Sequence, residues 1–507
     1  MMPLWKVDQP APGSAAFDAG DRHDVVIVGA GLTGLTTAVM LTRAGMDVAV
    51  IDAGEVAQLA SGANTGKLSL LQGERLASLR RHHPAALVRA YVDANRAGLE
   101  WLTAFAEHTG VSFSRRTDHS YAQTPAGLDA VRRQHAAARE AGLPTRLLAA
   151  ADLPDPRFPL AGAVALDDQI AIDPMRLARR LAQEFVAEGG TLHTGIRVTG
   201  AHALGSAHVD TGNGPLFARH IVLATGTPII DRGLYFAKTR GLRSYCVSFR
   251  LPGAPPQGMF ISVDGPTRSI RPVSTADGPA DAQLVVGGNG HPVGRSSDES
   301  AALDDLVAWT HEHFPGAEET HRWSAQDYES HNLVPFVGGM PRGLGRIRFA
   351  TGYGKWGLSN APAAALRITS EILGTPRRER PTWMTMIGTR LTVPADISRG
   401  AAEGGRVARA LAGGWLRAER RRTPVPRPAE GTGTIAHRGG RPVGISTVDG
   451  VTRAVDAVCP HLGGVLDWND AECTWDCPLH ASRFRADGTR IEGPALRDLQ
   501  RLPRSSA

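Results

Sequence analysis

Two kinds of apolar pattern follow each other in the first part of the chain. An apolar, β-branched run at residues 25–28 meets a glycine-containing turn, and an apolar pattern of helical period then extends from Leu32 to Ala44. A second β-branched run at residues 48–51 ends at Asp52. Short apolar runs bounded by turn residues predict buried strands, and the period of about 3.6 between them predicts a helix. The stretch therefore predicts strand, tight turn, helix and strand.

Later patterns predict further elements of both kinds. Residues 83–142 favour long helices, whereas residues 241–290 alternate in the manner of β-strands between proline and glycine turns. Residues 346–374 repeat the opening order of apolar strand, glycine-rich turn and helix. An amphipathic helix over residues 401–421 precedes a polar, proline-rich segment, and short strands with glycine turns follow. We therefore predict a parallel-sheet α/β domain with an inserted antiparallel sheet, and then a small all-β domain.

Changes in composition give the domain boundaries. A chain of 507 residues is long enough for several domains. The inserted part of the large domain is expected mainly at residues 75–190 and 230–330. We place a polar lead-in at 1–22, the large domain at 23–422, a linker at 423–433 and the small domain at 434–507.

The opening stretch carries the motif G-x-G-x-x-G at Gly29, Gly31 and Gly34. Between a strand and a helix, these glycines permit the tight turn, the approach of a pyrophosphate to the backbone and close helix packing. The first helical turn then presents unpaired N–H groups and a partial positive charge to phosphate. Asp52 stands where an acid accepts ribose hydroxyls. A glycine turn without a ligand is the alternative, but the helix and the acid together favour a bound dinucleotide.

Two other segments are candidates for contacts with the same ligand. Residues 60–73 predict a small, polar loop in which Ser61, Thr65 and Lys67 are hydrogen-bond donors, with a loop that contacts no ligand as the alternative. The second glycine-rich turn, from Gly352 to Gly357, again brings backbone N–H groups to a helix N-terminus. Strands that return a second glycine turn to one ligand favour a flavin domain over a simple NAD domain.

The C-terminal domain carries two Cys-plus-His pairs, Cys459-x-His461 and Cys477-x-x-His480. Zinc would accept these four ligands, but the His-x₃₋₅-His spacing of common zinc sites is absent. The spacing fits a Rieske [2Fe–2S] cluster, in which two thiolates hold one iron and two imidazoles hold the other. Neutral imidazoles raise the reduction potential of such a cluster above that of an all-cysteine cluster.

Composition narrows the class of protein. Hydrophobic residues make up 42% of the chain, as in globular proteins, and the net charge is +6. Aromatic residues make up only 6% and do not interleave with the basic residues, so we reject a nucleic-acid partner. Four cysteines are too few for a disulfide framework and fit a reducing compartment. With no apolar run of about 20 residues and no signal-peptide pattern, we expect a cytoplasmic protein without an integral membrane segment.

Residues from about 20 to 420 resemble FAD-dependent oxidoreductases of the D-amino-acid-oxidase and glycine-oxidase type. The matching stretches are DVVIVGAGLTGL, VAVID, IVLATG and FATGYGKWGLSNAPAAA. The resemblance implies bound FAD, with Gly29, Gly31, Gly34 and Asp52 at its ADP part. It further implies that Val198 lies on the adenine side and Thr225 and Gly226 near the phosphates. The residues implied at the flavin ring are Gly352, Gly354, Lys355, Trp356 and Gly357.

Residues from about 425 to 507 resemble Rieske ferredoxin domains, through CPHLGGVLDWNDAECTWDCPLHASRF and IEGPALRDL. The whole chain resembles bacterial FAD-dependent oxidoreductases with a C-terminal Rieske domain. Respiratory-type Rieske domains carry a disulfide between the cluster loops, and its positions are Gly464 and Leu479 here. Ser482 matches a serine donor to the cluster, whereas Phe484 replaces a tyrosine donor. Fewer donors imply a moderate reduction potential.

The resemblance completes the predicted fold class: an α/β FAD-binding Rossmann-type domain with an inserted antiparallel-sheet substrate domain, plus a small all-β Rieske domain. It implies dehydrogenation of an amine or amino acid at the flavin, with electrons passed from FAD to the [2Fe–2S] cluster and on to an acceptor. That acceptor is O₂ or a redox protein. The alternative function is a flavin and iron–sulfur electron-transfer protein that serves a partner enzyme. A nicotinamide donor would normally need its own glycine turn, and the second glycine turn of this chain, from Gly352 to Gly357, is the one that the resemblance places at the flavin ring.

Candidates for the chemistry itself are few. Lys355 is a candidate cation beside the flavin, with a surface lysine as the alternative. His291 is a candidate catalytic residue, with a structural histidine as the alternative. Arg243 and Arg271 are candidates for binding a substrate carboxylate, although most arginines in so arginine-rich a chain are expected to be solvated.

Overall fold

The computed structural model describes residues 1–5, 12–153, 157–230, 232–275, 278–296, 298–389, 394–420 and 426–503. Parts of the predicted lead-in (6–11), of the linker (423–425) and of the C-terminal domain (504–507) therefore lie outside the described residues. None of the helices in these ranges has the length and apolar character that crossing a membrane requires.

The helices in the described ranges, in chain order, are α1 (Leu32–Arg43), α2 (Ala60–Ala63), α3 (Arg75–His82), α4 (Ala85–Thr109), α5 (Leu128–Glu140), α6 (Pro174–Ala187), α7 (Glu299–His313), α8 (Gly357–Ile372), α9 (Thr382–Met386) and α10 (Pro394–Arg420). Short 3₁₀ helices lie at Pro125–Gly127, Ala150–Asp152, Tyr235–Lys238 and Arg377–Glu379. The strands, in the same order, are β1 (Arg22–Val28), β2 (Val48–Ile51), β3 (Lys67–Leu68), β4 (Phe113–Ala122), β5 (Arg146–Ala149), β6 (Gly162–Ile172), β7 (Thr191–His193), β8 (Val198–His202), β9 (His208–Thr211), β10 (Gly214–Leu223), β11 (Thr239–Arg250), β12 (Met259–Ser262), β13 (Arg268–Thr275), β14 (Gly278–Pro292), β15 (Glu318–Ser330), β16 (Phe336–Gly339), β17 (Ile347–Thr351), β18 (Gly433–Arg438), β19 (Arg441–Val448), β20 (Val451–Asp456), β21 (Asp467–Asn469), β22 (Thr474–Asp476), β23 (Arg483–Arg485) and β24 (Arg490–Glu492).

The first sheet contains the strand–turn–helix unit at the start of the chain. Its order is β16-β17-β10-β1-β2-β7, and β9 joins β8 to β10. Strands β17, β10, β1, β2 and β7 run parallel, while β16 pairs antiparallel to β17. The buried apolar side chains of β1 and β2 fit a parallel sheet that is covered on both faces. Because β1, β10 and β17 are neighbours, the glycine turns that follow them meet at one sheet edge.

The second sheet is the inserted sheet. Its order is β15-β11-β14-β13-β12-β4-β6-β3, with β5 paired to β6. The pairs are antiparallel except for β12 and β4, which run parallel. Alternation in the sequence could not predict this exception, because the period of two reports the faces of a strand and not the direction of its neighbour.

The C-terminal domain contains two small antiparallel sheets, β18-β19-β20 and β21-β22-β23-β24. The amphipathic helix α10 packs against this domain, where Val407, Ala410 and Leu411 adjoin its apolar core. The indole nitrogen of Trp415 donates to the carbonyl oxygen of Gly463 at 3.2 Å. The helix therefore packs against the domain that follows it in the chain.

A buried cluster of charges joins the C-terminal domain to the second sheet. Arg243 on β11 is fully buried and donates to Asp476 of β22 at 3.0 Å. It also contacts Glu472 of the loop before β22. Arg483 on β23 pairs with Glu492 at 2.8 Å and contacts Glu472 as well. Paired acids and arginines of both domains thus meet out of water, which defines how the domains dock.

The close packing of α1 on β1 depends on Gly34, since a Cβ atom there would overlap the carbonyl oxygen of Gly29. We expect Gly34→Ala to displace α1, to lower the free energy of unfolding by about 1–3 kcal/mol and to reduce the content of bound flavin. Denaturant unfolding and flavin absorbance check both effects. Gly212→Ala is the matched control because a Cβ atom there meets no neighbour. An equal loss in both variants would contradict the packing explanation.

Candidate functional site

The first glycine turn forms one wall of the candidate cofactor site. Gly29 has φ of 111°, and a Cβ atom there would lie 2.5 Å from the carbonyl oxygen of Ala224. In α1, the N–H of Leu32 donates to Ser61 Oγ at 3.0 Å. The N–H groups of Thr33 and Gly34 have no acceptor among the described residues. These unpaired donors at a helix N-terminus fit a pyrophosphate.

Asp52 lies beside this turn and is bonded to the backbone. Its Oδ2 accepts from Ala30 N at 2.6 Å, and its Oδ1 accepts from Gly54 N at 2.8 Å. Desolvation raises the pKa of Asp52, against the effects of these two bonds and of the nearby Arg197. The carboxylate therefore holds the turn in place. Each oxygen keeps a further lone pair, so contact with a ribose stays a prediction.

The second glycine turn is linked directly to the first. Gly352 has φ of 85° and Gly354 has φ of 57°, both in the region that favours glycine. Between them, Tyr353 Oη lies 2.8 Å from Thr33 Oγ1 on α1. Trp356 and Gly357 then begin α8, which starts without a side-chain cap. The structure therefore brings together the two turns that the sequence singled out.

Thr225 and Gly226 follow β10 and lie at the same edge. Thr351 Oγ1, at the end of β17, donates to the carbonyl oxygen of Gly226 at 2.6 Å. Val198, predicted on the adenine side, is buried with Val28 and Ile51 in the core beside the parallel sheet. All of these positions therefore border the first sheet.

The predicted donors of residues 60–73 contact different parts of the structure. Ser61 lies on the short helix α2 and bonds to α1, whereas Lys67 Nζ donates to the carbonyl oxygen of Phe260 in the second sheet at 2.5 Å. Burial lowers the pKa of Lys67 to about 8. The carbonyl oxygen of Thr65 accepts from Arg271. Only Ser61 of the three therefore bonds to the first glycine turn in this structure, so contacts of Thr65 and Lys67 with a cofactor stay predictions.

Lys355 continues the second glycine turn, with φ of 73°. Its N–H donates to Asp327 Oδ2 at 2.5 Å, and its ammonium group lies beside Gly290. Burial lowers the pKa of Lys355, against the nearby Glu329 and Asp327. Neighbouring protein atoms thus desolvate the ammonium group, although the residue as a whole is accessible to solvent. A cation next to the second turn fits the role predicted for it.

His291 has partners at both ring nitrogens. Nε2 lies 3.0 Å from Tyr245 Oη, and Nδ1 lies 3.0 Å from the carbonyl oxygen of Pro292. Burial lowers the pKa of His291. A neutral imidazole with both nitrogens bonded orients Tyr245, and this arrangement favours the structural alternative over a catalytic role.

The arginines considered for a substrate carboxylate are engaged elsewhere. Arg243 lies in the charge cluster between the domains. Arg271 donates to the carbonyl oxygen of Ile172 at 3.1 Å and to that of Thr65. Both guanidinium groups therefore serve the protein's own structure. The sequence could not distinguish these roles, because spacing along the chain does not reveal a partner from another domain.

The second candidate site lies on two loops of the C-terminal domain. Cys459 and His461 lie between β20 and β21, and Cys477 and His480 lie between β22 and β23. The two thiols are in contact, and a hydrogen bond from Cys477 lowers the pKa of Cys459. The imidazole rings of His461 and His480 lie 5.2 Å apart between centroids. The four predicted ligands thus converge.

The donor atoms of these four residues fit a metal cluster. His480 Nδ1 is buried and has no hydrogen-bond partner among the described residues. Burial lowers the pKa of His480 to about 4, together with His461 and Arg295, so the imidazole is neutral and can ligate. Ser482 Oγ accepts from Ala495 N at 3.1 Å and is fully buried at the same place. Two thiols and two imidazoles fit a Rieske [2Fe–2S] cluster.

A family model for FAD dependent oxidoreductases matches residues 24–371, more than half of the chain. The chain belongs to the FAD-dependent oxidoreductase family. A second family model, for the Rieske [2Fe–2S] domain, matches residues 425–503. The protein is thus an FAD-dependent oxidoreductase with a C-terminal Rieske domain, and its cofactors are FAD and a [2Fe–2S] cluster.

Several known proteins are similar to this oxidoreductase. The chain is 26% identical over 504 residues to a Bacillus subtilis (strain 168) protein, YhfW, named as a Rieske 2Fe-2S iron-sulfur protein; the match covers 98% of this chain and 97% of the relative. Glycine oxidase from Geobacillus kaustophilus superimposes with a TM-score of 0.60 at 20% identity, over 74% of this chain and 100% of that one. L-amino acid deaminase from Proteus myxofaciens does so with a TM-score of 0.57 at 18% identity, over 74% and 95%. At such identities the solved structures show a shared fold.

Residues that the sequence did not single out also border the two sites. Phe236 packs edge-on against both His461 and His480, with ring centroids 4.8 Å away in each case. Gln326 and Tyr328 on β15 contact the second cluster loop. The alternation of polar and larger side chains over residues 323–330 marks a strand. No signal in the sequence identifies what that strand touches.

Loss of one cluster ligand should remove the cluster and leave the flavin. We expect Cys459→Ser and His480→Ala to lose iron and acid-labile sulfide while retaining flavin absorbance, because all four ligands hold the two irons. Cys473→Ser is the control, since Cys473 is not one of the four ligands and its thiol donates to the carbonyl oxygens of Gly431 and Asp470. Retention of the cluster in His480→Ala would refute the ligand set.

The reduction potential should be moderate within the Rieske range of about −150 to +300 mV, and not as high as that of respiratory-type clusters. Gly464 and Leu479 face each other in the structure, and the side chain of Leu479 fills the space where the loops approach. Phe484 is fully buried in the same core and offers no hydroxyl. We therefore expect Phe484→Tyr to raise the potential by adding a donor, as measured by redox titration. A native potential near the upper limit would contradict this account.

Proposed function

We propose that this protein oxidises an amine or an amino acid at FAD, and that the electrons leave through the Rieske cluster to a redox protein. The observation that carries the proposal is the contact of the cluster loops with the flavin domain. The rings of His461 and His480 pack against Phe236 of the flavin domain. Arg295 of the same domain donates to the carbonyl oxygen of Pro478, between two ligands, at 2.8 Å. This contact between the ligand loops and the flavin domain supports transfer within the chain.

The substrate class has separate support. The similar folds include proteins named glycine oxidase and L-amino acid deaminase. The spacing G-x-G-x-x-G occurs twice, in the turns at 29–34 and 352–357, and both turns border the first sheet; a nicotinamide donor would need a further dinucleotide turn. Lys355, a solvent-accessible residue of the second glycine turn, supplies a cation near the proposed reaction site. These features favour a small organic donor over NAD(P)H.

The atoms and electrons of the proposed reaction balance with the substrate, water, the two cofactors and the redox protein. When bound, the flavin takes up a hydride and the cluster carries one electron at a time. The substrate loses the hydride from its α carbon and a proton from nitrogen, which leaves an imine. Water then adds to the imine and releases a carbonyl compound and ammonia or an amine. Two electrons leave each substrate, so two one-electron transfers to the redox protein complete a turnover.

Anaerobic mixing of the holoenzyme with donors tests the function. We expect one or more members of a panel of amino acids and secondary amines to bleach the flavin and then to produce the EPR signal of the reduced cluster. NAD(P)H should bleach neither. If NAD(P)H alone reduces the flavin, the protein is an electron-transfer partner of another enzyme and the proposal is wrong.

Variants of Lys355 add a second readout to the same experiment. We expect Lys355→Met to lower kcat/KM by about 100-fold, as for the loss of one charged contact at a reaction site. Lys355→Arg, which keeps the charge, should retain most of the activity, and both variants should keep their flavin. Equal activity of all three proteins would remove Lys355 from the proposed site.

A further inference from the structure

Strand β15 forms a shared wall between the two cofactor sites. Successive side chains of a strand point to opposite faces. On one face, Asp327 accepts from the second glycine turn and Glu329 pairs with Arg75 beside that turn. On the other face, Gln326 and Tyr328 contact the Rieske domain. Contacts to both sites therefore come from adjacent residues of one strand.

On the flavin side, the contacts are made to the turn itself. The N–H of Gly354 donates to the carbonyl oxygen of Tyr328 at 2.9 Å. The N–H of Lys355 donates to Asp327 Oδ2 at 2.5 Å. The backbone of β15 is thus bonded to the turn that the family resemblance places at the flavin ring.

On the cluster side, the contacts are made next to a ligand. Gln326 Nε2 donates to the carbonyl oxygen of Ala481 at 2.8 Å and to Tyr328 Oη at 3.1 Å. Ala481 directly follows His480 in the chain. Tyr328 and Ala481 also belong to one small buried cluster with Val293, and Tyr328 Oη lies 3.5 Å from the Ala481 carbonyl oxygen.

Two glycines allow this close approach. A Cβ atom at Gly241, on the strand next to β15, would overlap the Cβ atom of Ala481. A Cβ atom at Gly294 would lie 2.8 Å from the backbone nitrogen of Pro478. The second cluster loop therefore rests on the flavin domain with no side chain between them at these points.

We propose that β15 is the electron path between the two cofactors, with the ring of Tyr328 as its packed bridge and Gln326 as the residue that positions the second cluster loop. The inference rests on the electron transfer of the proposed function and names the residues that carry it. Each transfer moves one electron from the reduced flavin to the oxidised cluster. The external redox protein then reoxidises the cluster before the second electron follows.

The path can be tested without a substrate. A laser flash with a photoreductant reduces the flavin of the holoenzyme, and absorbance and EPR follow the flavin and the cluster separately. We expect Tyr328→Leu to slow reduction of the cluster by the flavin by about tenfold, because a cavity replaces the packed ring. Tyr328→Phe keeps the ring and should stay close to the native rate.

Gln326 has a different readout. Gln326→Leu removes the donor to the Ala481 carbonyl oxygen beside His480, so we expect a shifted reduction potential and altered EPR g-values of the dithionite-reduced cluster. Flash reduction of the flavin itself should be unchanged. Tyr121→Leu serves as a control, because this buried tyrosine of β4 packs against Phe158 and Phe260. It should alter neither the transfer rate nor the potential.

The outcomes separate this inference from the proposed function. If the native cluster stays oxidised after the flavin is reduced, the proposed electron transfer within the chain is wrong, and so is the proposed path. If the native cluster is reduced and Tyr328→Leu transfers electrons equally fast, the path alone is wrong. If no amine reduces the flavin while the flash results hold, the substrate class is wrong and the path stands.

Discussion

The relation between the two cofactor sites depends on the burial of Arg243. Its guanidinium group is removed from water on β11 and is balanced by Asp476 and Glu472 of the Rieske domain. An arginine or a carboxylate left unpaired there would cost about 3–5 kcal/mol. The domains therefore have a strong preference for the one arrangement in which these charges meet.

That preference also positions the cluster. Asp476 directly precedes Cys477, so the residue that docks the domain is adjacent in the chain to a cluster ligand. Strand β15 pairs with β11 beside Arg243, and it is this strand that contacts both the second glycine turn and the second cluster loop. The ion pairs of buried Arg243 thus help to set the distance between the flavin turn and the cluster. The helix α10 adds an apolar contact on another side of the Rieske domain.

Local chemistry decided which parts of the site were predictable. Gly29, Gly34 and Gly352 stand where the backbone needs a positive φ or a close approach, and only glycine meets that need at little cost. Cys459 and Cys477 are informative because thiolates and imidazoles at short spacing have few other uses. The roles of Lys67 and Arg243 were not predictable in this way. Each depends on an acceptor from a strand or a domain far away in the sequence.

The sequence by itself determined the two cofactors and the order of the domains, because cofactor motifs are short and their spacing is imposed by bonds within a few residues. Only the tertiary structure decided how the cofactor sites face each other. The same sequence motifs are compatible with many orientations of the Rieske domain relative to the flavin domain. One orientation is selected by long-range contacts. Arg243 is buried against Asp476, Phe236 packs on His461 and His480, and the two faces of β15 contact the two sites. These are long-range contacts, and no local pattern in the chain encodes which partner each side chain will meet.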